Sequence, residues 1–235
     1  MIDLTLDGFD VIHDIYGNLS GVKVFVAGNQ WFVIEDLISK LGKVLVETLP
    51  PGVVMKQVMG EQVKIGNLVI DVKPDVVSLP PSMINQISDL LKNKIDYVEN
   101  EVVLATNVQL KDVCDLMGLR IALPNPENEG IGQIFREVYE ETCGDYVSLR
   151  ERSYVTKVHH RETPKLMREG MVDAGVVWKT EAIKWGFESV GTGRKGKLSL
   201  ALTKWSGKEA EEVMNLLLSE DSKEVYERYG FKWIA

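Results

Sequence analysis

Short apolar runs alternate along the chain with segments whose apolar residues recur at helical spacing. Valine-rich runs at residues 22–27, 44–49 and 75–79 predict buried β-strands. Residues 31–41, between the first two runs, carry apolar side chains at helical spacing and are predicted to form an α-helix. The first part of the chain therefore predicts a strand, a helix and a second strand in succession.

The alternation continues to the C-terminus. Further strands are predicted at 101–106, 119–124, 173–178 and 198–203. Further helices are predicted at 53–59, over 83–91 with Ser82 as the N-cap, at 133–141, over 164–168, and from 208 to 229. Strands separated by helices are typical of α/β proteins with a mostly parallel sheet, which bind ligands at the loops that follow the strands. Those loops are residues 28–30, 78–82, 124–132 and 178–180.

Composition and charge exclude several classes of protein. The chain has 235 residues, of which 45% are hydrophobic and 26% charged, and its net charge of −8 is not the basic footprint of a nucleic-acid-binding protein. No apolar run reaches the roughly 18 residues that span a bilayer. Residues Met1–Asp7 lack the basic region that begins a secretory signal. We therefore expect either an intracellular protein or one whose signal has been removed.

Two strings that resemble functional motifs are interpreted as ordinary structure. Gly191–Gly196 matches G-x-G-x-x-G, but a strand-like run follows it instead of the helix that a dinucleotide site needs, so a flexible basic turn is predicted. His159 and His160 are adjacent, whereas helical metal sites space two histidines four residues apart. A solvated helix start is the favoured interpretation of this pair, and a histidine or Arg161 facing a ligand cleft is the alternative.

Neither the cysteines nor the acidic pairs indicate a catalytic centre. Cys114 lies in an apolar stretch and is interpreted as a core thiol, whereas Cys143, near a helix end, is interpreted as structural. No serine lies in a G-x-S-x-G nucleophile elbow. Glu127 and Glu129 are close in sequence, but acidic residues at a helix start usually complement the helix dipole.

The chemistry of the turn at Gly130, Ile131 and Gly132 points most directly to a ligand. The turn opens a predicted helix, whose first backbone N–H groups have no partner within the helix. Glycine lets these N–H groups approach a ligand closely, and a helix N-terminus favours an anion. The turns at 28–30 and 78–82 also open helices. An ordinary capped connection is the alternative for all three turns, and spacing alone favours it.

The order of several segments resembles the solute-binding proteins of ABC importers, most closely the molybdate- and tungstate-binding family. The resemblance is strongest over residues 99–235. It is carried by N-E-V-V-L-A-T-N at 100–107, G-L-R-I-A-L at 118–123 with N-P at 125–126, G-M-V-D-A-G-V-V-W-K at 170–179, L-L-L-S at 216–219 and Y-G-F at 229–231. The first 100 residues match less well, although the predicted elements at 22–41 and 75–79 stand where that family has them.

The resemblance implies an α/β fold of the type II periplasmic-binding-protein kind, with two lobes that close on a ligand cleft. Residues 1–104 and 195–235 would form lobe one, and residues 105–194 would form lobe two. In that family, hydroxyl and backbone N–H groups hold an oxyanion. The corresponding ligand-binding positions in this chain are Asn29, Gln30, Ser78, Glu129, Gly130, Ile131, Gly132 and Trp178. The implied partners are a small anion and an ABC permease, and no cofactor or metal is expected.

The chain departs from the family pattern at several of these positions. Asn29 and Gln30 stand where the family usually offers a small residue and a serine, and Trp178 replaces a tyrosine. The tungstate-type branch completes a metal centre with two carboxylates. Glu129 lies near one of those positions, but Val177 occupies the other. Molybdate itself is therefore not fixed as the ligand by the resemblance.

Two other classes of function stay open at this point. An intracellular enzyme on the same fold would use Glu129, His159 or His160 as acid–base groups acting on a small organic anion. A sensor or interaction module would bind its partner protein in a way that depends on the ligand. Reversible binding of a small oxyanion for ABC import is the leading prediction. Neutral donors and helix dipoles would form its site and would discriminate by the size and the proton count of the ligand.

Overall fold

The structure, a computed structural model, describes residues 1–3, 14–127, 129–157 and 160–235. His13 and His159 lie outside the described residues, so the predictions that involve them are not tested here. No helix within the described ranges is both long enough and apolar enough to cross a membrane.

The strands and helices alternate along most of the chain, as the apolar pattern predicts. The strands are β1 (Ile2–Asp3), β2 (Ile15–Gly17), β3 (Val22–Val26), β4 (Val44–Glu47), β5 (Val63–Ile65), β6 (Leu68–Ile70), β7 (Val76–Leu79), β8 (Leu91–Thr106), β9 (Ile121–Leu123), β10 (Tyr154–Val155), β11 (Ala174–Trp178), β12 (Glu188–Thr203) and β13 (Lys232–Trp233). The helices are α1 (Trp31–Leu41), α2 (Pro51–Val58), α3 (Pro81–Gln86), α4 (Gly130–Thr142), α5 (Tyr146–Glu151), α6 (Glu162–Arg168), α7 (Lys179–Trp185), α8 (Lys208–Leu217) and α9 (Glu220–Arg228).

The chain divides into two compact units. Unit 1 comprises Met1–Val98, Lys197–Arg228 and Lys232–Ala235, and unit 2 comprises Glu99–Gly196 and Tyr229–Phe231. The main crossings between units therefore lie inside the long strands β8 and β12. The predicted lobe boundaries, after residues 104 and 194, fall in the same two strands.

In unit 1, a mixed sheet has the strand order β12, β7, β3, β4, β2. β3 pairs in parallel with both β4 and β7, whereas β12 pairs with β7, and β2 with β4, in antiparallel orientation. Phe25 and Val54 are fully buried in the core between this sheet and its helices. Because β3 and β7 are parallel neighbours, their C-terminal ends at Val26 and Leu79 lie at the same edge of the sheet.

In unit 2, the strand order is β10, β9, β11, β8. β9 pairs in parallel with β10 and β11, and β11 pairs with β8 in antiparallel orientation. Alternate strand residues face opposite sides, so Val176 packs with Phe135 of α4, whereas Val177 packs with Met167 of α6 and Ala182 of α7. Since β9 leads into α4 and β11 leads into α7, both helices start at the same edge of this sheet.

Several predicted element boundaries are wrong. Helix α3 begins at Pro81, so Ser82 is not its N-cap, and it ends at Gln86 instead of continuing to 91. Proline fits the first turn of a helix because that position needs no N–H donor. The helix predicted over 208–229 is two helices, α8 and α9, which are separated at Leu218 and Ser219.

The glycine-rich string Gly191–Gly196 was predicted to be a flexible turn, and this prediction is wrong because the string lies within β12. The Thr192 hydroxyl donates a hydrogen bond to the Val102 carbonyl over 2.6 Å. Gly193 has a φ of 73°, which a glycine adopts without strain. The string therefore belongs to the sheet of unit 2 and opens no helix.

Cys114 and Cys143 are joined by a disulfide within unit 2, so the interpretation of Cys114 as a core thiol is wrong. The bond ties the short turn Val113–Leu116 to the C-terminal end of α4 and closes a sequence separation of 29 residues. Two cysteines at this separation carry no local signal of pairing, since pairing depends on the fold that brings their Cα atoms together.

Candidate functional site

The C-terminal ends of β3 and β7 bring together two predicted ligand-binding residues of unit 1. Gln30 and Ser78 are fully buried, and Gln30 Nε2 donates a hydrogen bond to Ser78 Oγ over 2.9 Å. The hydroxyls of Tyr97 and Tyr226 both donate to Gln30 Oε1, the Tyr226 bond over 2.7 Å. Ser78 Oγ and the Tyr97 hydroxyl lie 2.8 Å apart. We call these four residues the neutral network.

Every hydroxyl proton of the neutral network has an acceptor inside the protein. Tyr97 gives its proton to Gln30, so its oxygen accepts from Ser78, whose single hydroxyl proton is thereby used. Burial raises the pKa of Tyr97 to about 12 and that of Tyr226 well above its ordinary value, so both phenols stay neutral at physiological pH. Ser78 therefore has no proton left for a ligand while this arrangement holds.

Asn29, the neighbour of Gln30, has no such network. The residue is 5% exposed, and its Oδ1 atom has no hydrogen-bond partner among the described residues. It lies in the short turn Gly28–Gln30 that leads from β3 into α1. A buried polar group left unsatisfied costs about 1–3 kcal/mol, and such groups are uncommon in folded proteins. A ligand that pairs with this amide would explain its presence.

The start of α4 holds the glycine-rich predicted segment in unit 2. Nothing in the described part of the chain accepts a hydrogen bond from the backbone N–H groups of Gly130, Ile131 and Gly132, the first three residues of the helix. A Cβ on Gly132 would lie 2.5 Å from the Pro124 carbonyl oxygen, so glycine is needed there for the helix to pack on the end of β9. A Cβ on Gly130 would meet nothing within 4 Å. The three N–H groups form a neutral, positively polarised helix end.

A buried cluster of ionisable residues lies directly beside this helix start. Glu129, the N-cap of α4, places Oε2 at 2.8 Å from His160 Nδ1, and His160 Nε2 lies 2.9 Å from Glu181 Oε1. All three residues are at most 5% exposed. Glu129 also accepts hydrogen bonds from Thr156 Oγ1 over 2.6 Å and from the His160 backbone N–H over 2.7 Å. We call Glu129, His160 and Glu181 the charged triad.

The charged triad requires a protonated histidine. Both ring nitrogens of His160 face carboxylate oxygens, and only an imidazolium donates from both nitrogens. Burial lowers the pKa of His160, but the carboxylates of Glu181 and Glu129 raise it more, and the resulting pKa is about 9. The imidazolium therefore lies between two carboxyl groups, each of which accepts one of its N–H groups.

The position of His160 bears on two predictions. The prediction of a solvated helix start is wrong for this residue, which is 4% exposed. The alternative of an acid–base role near neutral pH needs a ring nitrogen that can exchange a proton, and both nitrogens are engaged by carboxylates. His159, the other histidine of that hypothesis, lies outside the described residues.

Trp178, the last predicted binding residue, ends β11 and immediately precedes α7. Its backbone N–H donates to Glu181 Oε2 over 3.2 Å, which connects it to the charged triad. Its ring is partly buried against the core of unit 2, and a Cβ on Gly196 would lie 2.6 Å from that ring. The glycine at 196 is therefore required by the position of the indole.

The predicted residues thus fall in two groups, one in each unit. Sequence reasoning did not place Tyr97, Tyr226 or Glu181 in a site, and it assigned His160 only to an alternative. The only local signals were the histidine pair itself and an acidic residue three positions after Trp178, which is typical of a helix start. Among the described residues, no group of three or more His, Cys, Asp or Glu side chains could hold a metal ion.

Comparison with known proteins identifies a family. Residues 22–232 match the family model described as bacterial extracellular solute-binding protein. A search of curated proteins finds no match.

Several solved structures have a similar fold at low sequence identity. The periplasmic molybdate-binding protein of Azotobacter vinelandii aligns with a TM-score of 0.71 at 16% identity, over 91% of this chain and 100% of that one. The sulfate-binding protein SubI of Mycobacterium tuberculosis aligns with a TM-score of 0.67 at 15% identity, over 91% and 86%. Campylobacter jejuni Peb3 with bound L-phospholactate aligns with a TM-score of 0.66 at 14% identity, over 90% and 99%.

These neighbours are periplasmic binding proteins of the type II fold, so the predicted fold class is confirmed. The predicted membership among solute-binding proteins is confirmed by the family match, which covers most of the sequence. The chain belongs to the bacterial extracellular solute-binding protein family.

Proposed function

We propose that the chain binds a small oxyanion, of the tetrahedral molybdate or tungstate kind, and delivers it to an ABC permease. Asn29 is the observation that carries this proposal. Its amide is buried, and the described residues give its Oδ1 atom no hydrogen-bond partner. It lies in the loop that follows a parallel strand, where α/β folds bind their ligands.

The chemistry of the unused polar groups suits an oxyanion. A half-turn of the Asn29 side chain exchanges the amide oxygen for the NH₂ group, which donates two hydrogen bonds and carries no charge. The first backbone N–H groups of α4 are donors of the same neutral kind, at a helix end that favours anions. Similar structures named for molybdate and sulfate support the same ligand class.

The predicted binding residues support the proposal to different degrees. Asn29 and Gly130–Gly132 offer polar groups that no described residue hydrogen-bonds, and we assign them direct contact with the ligand. Gln30 and Ser78 hydrogen-bond within the neutral network, and we assign them a supporting role. Both oxygens of Glu129 accept hydrogen bonds from protein groups. That residues of both units bind one ligand stays a prediction.

The disulfide supports a place for this protein outside the reducing cytoplasm. Disulfides persist in oxidising compartments and are rare where glutathione and thioredoxin keep thiols reduced. The Cys114–Cys143 bond therefore fits a protein that meets its solute outside the cytoplasm and hands it to a permease. Of the two alternatives that the sequence left open, this inference favours a protein that works outside the cytoplasm.

The test is titration calorimetry of the full chain with molybdate, tungstate, sulfate and phosphate. We expect one or more of these anions to bind, and Asn29→Ala to raise its Kd by about 10- to 100-fold through the loss of a hydrogen bond to a charged group. Asn215→Ala, a change at an exposed residue of α8, is the matched control and should leave the Kd unchanged. Absence of binding by all four anions would contradict the oxyanion proposal. An unchanged Kd in Asn29→Ala would remove Asn29 from the site.

A further inference from the structure

We propose that Asn100, in unit 2, is a further ligand-binding residue, whose amide NH₂ group donates a hydrogen bond to the oxyanion. This inference rests on the proposed function and deepens it, because it adds a neutral donor that the family resemblance does not indicate. Asn100 is 2% exposed, and its Oδ1 atom has no hydrogen-bond partner among the described residues. Buried polar atoms without a partner are uncommon in folded proteins, so this atom needs an explanation.

The fold directs the Asn100 side chain to the edge of the sheet at which Trp178 lies. β8 and β11 are antiparallel, and Val102 of β8 lies opposite Trp178, the last residue of β11. Asn100 precedes Val102 by two residues, so it lies just beyond the end of β11 and faces the same side of the sheet as Val102. On that side, Val102 and Trp178 pack in the core that contains Ile131. Asn100 therefore lies at the same edge and on the same face as two predicted ligand-binding residues.

A hydrogen bond holds the Asn100 amide against the loop that follows β11. Asn100 Nδ2 lies 2.9 Å from Thr180 Oγ1, and Thr180 is fully buried. Residues 178–180 form one of the four loops that follow predicted strands, where α/β folds bind their ligands. The amide is thus fixed beside a candidate ligand loop, while its other end has no partner in the described part of the chain.

A half-turn of the amide gives both of its ends a partner once the ligand is bound. The oxygen and the nitrogen of an amide group have nearly the same shape, so their assignment follows from the partners that each finds. After the half-turn, Thr180 Oγ1 donates its proton to Asn100 Oδ1 over the same distance. The NH₂ group then takes the place of the unpartnered oxygen and donates to the oxyanion. Because the group is neutral, it suits the doubly charged anions of the molybdate and tungstate kind.

Titration calorimetry of the full chain with molybdate, tungstate, sulfate and phosphate tests this role through two substitutions. Asn100→Ala removes the donor, and we expect it to raise the Kd of each anion that binds by about tenfold or more. Asn100→Asp also removes the donor, but it keeps an oxygen that accepts from Thr180 and adds a negative charge beside the anion. We therefore expect Asn100→Asp to raise the Kd further than Asn100→Ala does.

The order of the two variants separates contact with the ligand from a purely structural role. If Asn100 only supported Thr180, Asn100→Asp would keep that hydrogen bond and would bind the anion more tightly than Asn100→Ala. Asn107→Ala is the matched control in the same unit, because the Asn107 amide donates to the Met167 carbonyl over 3.1 Å. The Kd of this control should equal that of the wild type, and circular dichroism confirms that each variant is folded.

The failure of this inference is distinguishable from the failure of the proposed function. If the wild type binds an anion, an unchanged Kd in Asn100→Ala or the reverse order of the two variants would overturn the inference and leave the oxyanion proposal intact. If none of the four anions binds the wild type, the proposed function fails and this inference fails with it. Should Asn100→Asp not fold, the Kd of Asn100→Ala compared with that of Asn107→Ala decides alone.

Discussion

The two units bury polar clusters of opposite character at the ends of their parallel strands. Unit 1 holds the neutral network, in which an amide and three hydroxyls use every hydroxyl proton internally. Unit 2 holds the charged triad, in which a cation lies between two anions. Both clusters are almost completely buried, so the difference between them lies in charge and not in access to water.

This difference determines how the stability of each cluster responds to substitution of one of its residues. In the neutral network, a substitution removes individual hydrogen bonds, and each bond contributes about 1 kcal/mol to the free energy of unfolding. A buried ion pair that loses one partner leaves an uncompensated charge in a medium of low polarity, which is far more destabilising. We therefore expect the charged triad to be more sensitive to single substitutions than the neutral network.

The largest effect is expected from His160→Phe, which keeps a ring of similar size and removes the cation. Two carboxylates would remain buried without their shared donor, and we expect the free energy of unfolding to fall by about 3–5 kcal/mol. Urea denaturation followed by circular dichroism measures the change. A loss below about 1 kcal/mol, typical of one neutral hydrogen bond, would show that the triad is not an ionic cluster.

A second substitution tests whether the loss comes from unpaired charge. Glu181→Gln in the His160→Phe background removes one of the two stranded carboxylates. We expect the double variant to be more stable than His160→Phe alone, because the coupling between contacting residues is not additive. Equal stability of the two variants would mean that the loss comes from packing of the ring.

The next largest effect is expected from the disulfide of unit 2. Replacing Cys114 and Cys143 by serine opens a loop with a sequence separation of 29 residues. The entropy of loop closure predicts a loss of about 3–4 kcal/mol in the free energy of unfolding. Thermal unfolding with and without a thiol reductant measures the effect. The wild type should lose stability in the reductant, whereas the serine variant should not respond to it.

Rising pH should remove one stabilising contribution from each unit, that of His160 in unit 2 and that of Glu47 in unit 1. The pKa of His160 is raised from 6.5 to about 9, so its stabilising contribution is complete below pH 6.5 and is lost as the pH rises through 9. The shift corresponds to about 3 kcal/mol. The contribution of Glu47 in unit 1 is lost at lower pH. Burial raises the pKa of Glu47 from 4.5 to about 8, so its stabilising contribution is complete below pH 4.5 and is lost as the pH rises through 8.

The two pH effects can be separated by substitution. Glu47→Gln removes the titration in unit 1, so the remaining fall in stability between pH 6.5 and 9 belongs to His160. Adding His160→Phe to this background should flatten the profile in that range. Urea denaturation at intervals of pH measures both curves. A profile that stays steep in the double variant would assign the effect to other groups.

Sequence reasoning located elements well where the signal is local. The valine run at 22–27 and the helical spacing at 31–41 predicted β3 and α1 to within a residue. Sequence reasoning did not predict the full length of β8 or β12, because the N-terminal halves of these strands are rich in charged residues and, in β12, glycine. Neither cluster could be assembled from spacing. Tyr97 and Tyr226 are 129 residues apart, and Glu129 and His160 are 31 residues apart.

The residues of the candidate site were recognised through the family resemblance, and their individual roles depend on long-range contacts. Ser78 was predicted to donate a hydrogen bond to a ligand, but its hydroxyl donates to the Tyr97 hydroxyl instead. No local sequence pattern marks Tyr97 as part of a site. Asn29 was predicted on the same grounds, and its buried amide oxygen has no partner among the described residues. Which buried polar group has no partner can be decided only when the long-range contacts are known.

The smallest effect is expected from Tyr226→Phe in the neutral network. Gln30 Oε1 accepts from both Tyr97 and Tyr226, so loss of the Tyr226 hydroxyl leaves the oxygen one donor and strands no polar group. We expect a loss of about 1 kcal/mol in the free energy of unfolding.

Ser78→Ala should be more destabilising, because it leaves the Nε2 donor of Gln30 and the oxygen of Tyr97 without their partner. Urea denaturation of both variants between pH 6.5 and 9 should show the same ranking throughout, since burial raises the pKa values of both phenols well beyond that range. A Tyr226→Phe loss as large as that of His160→Phe would remove the distinction between the two clusters.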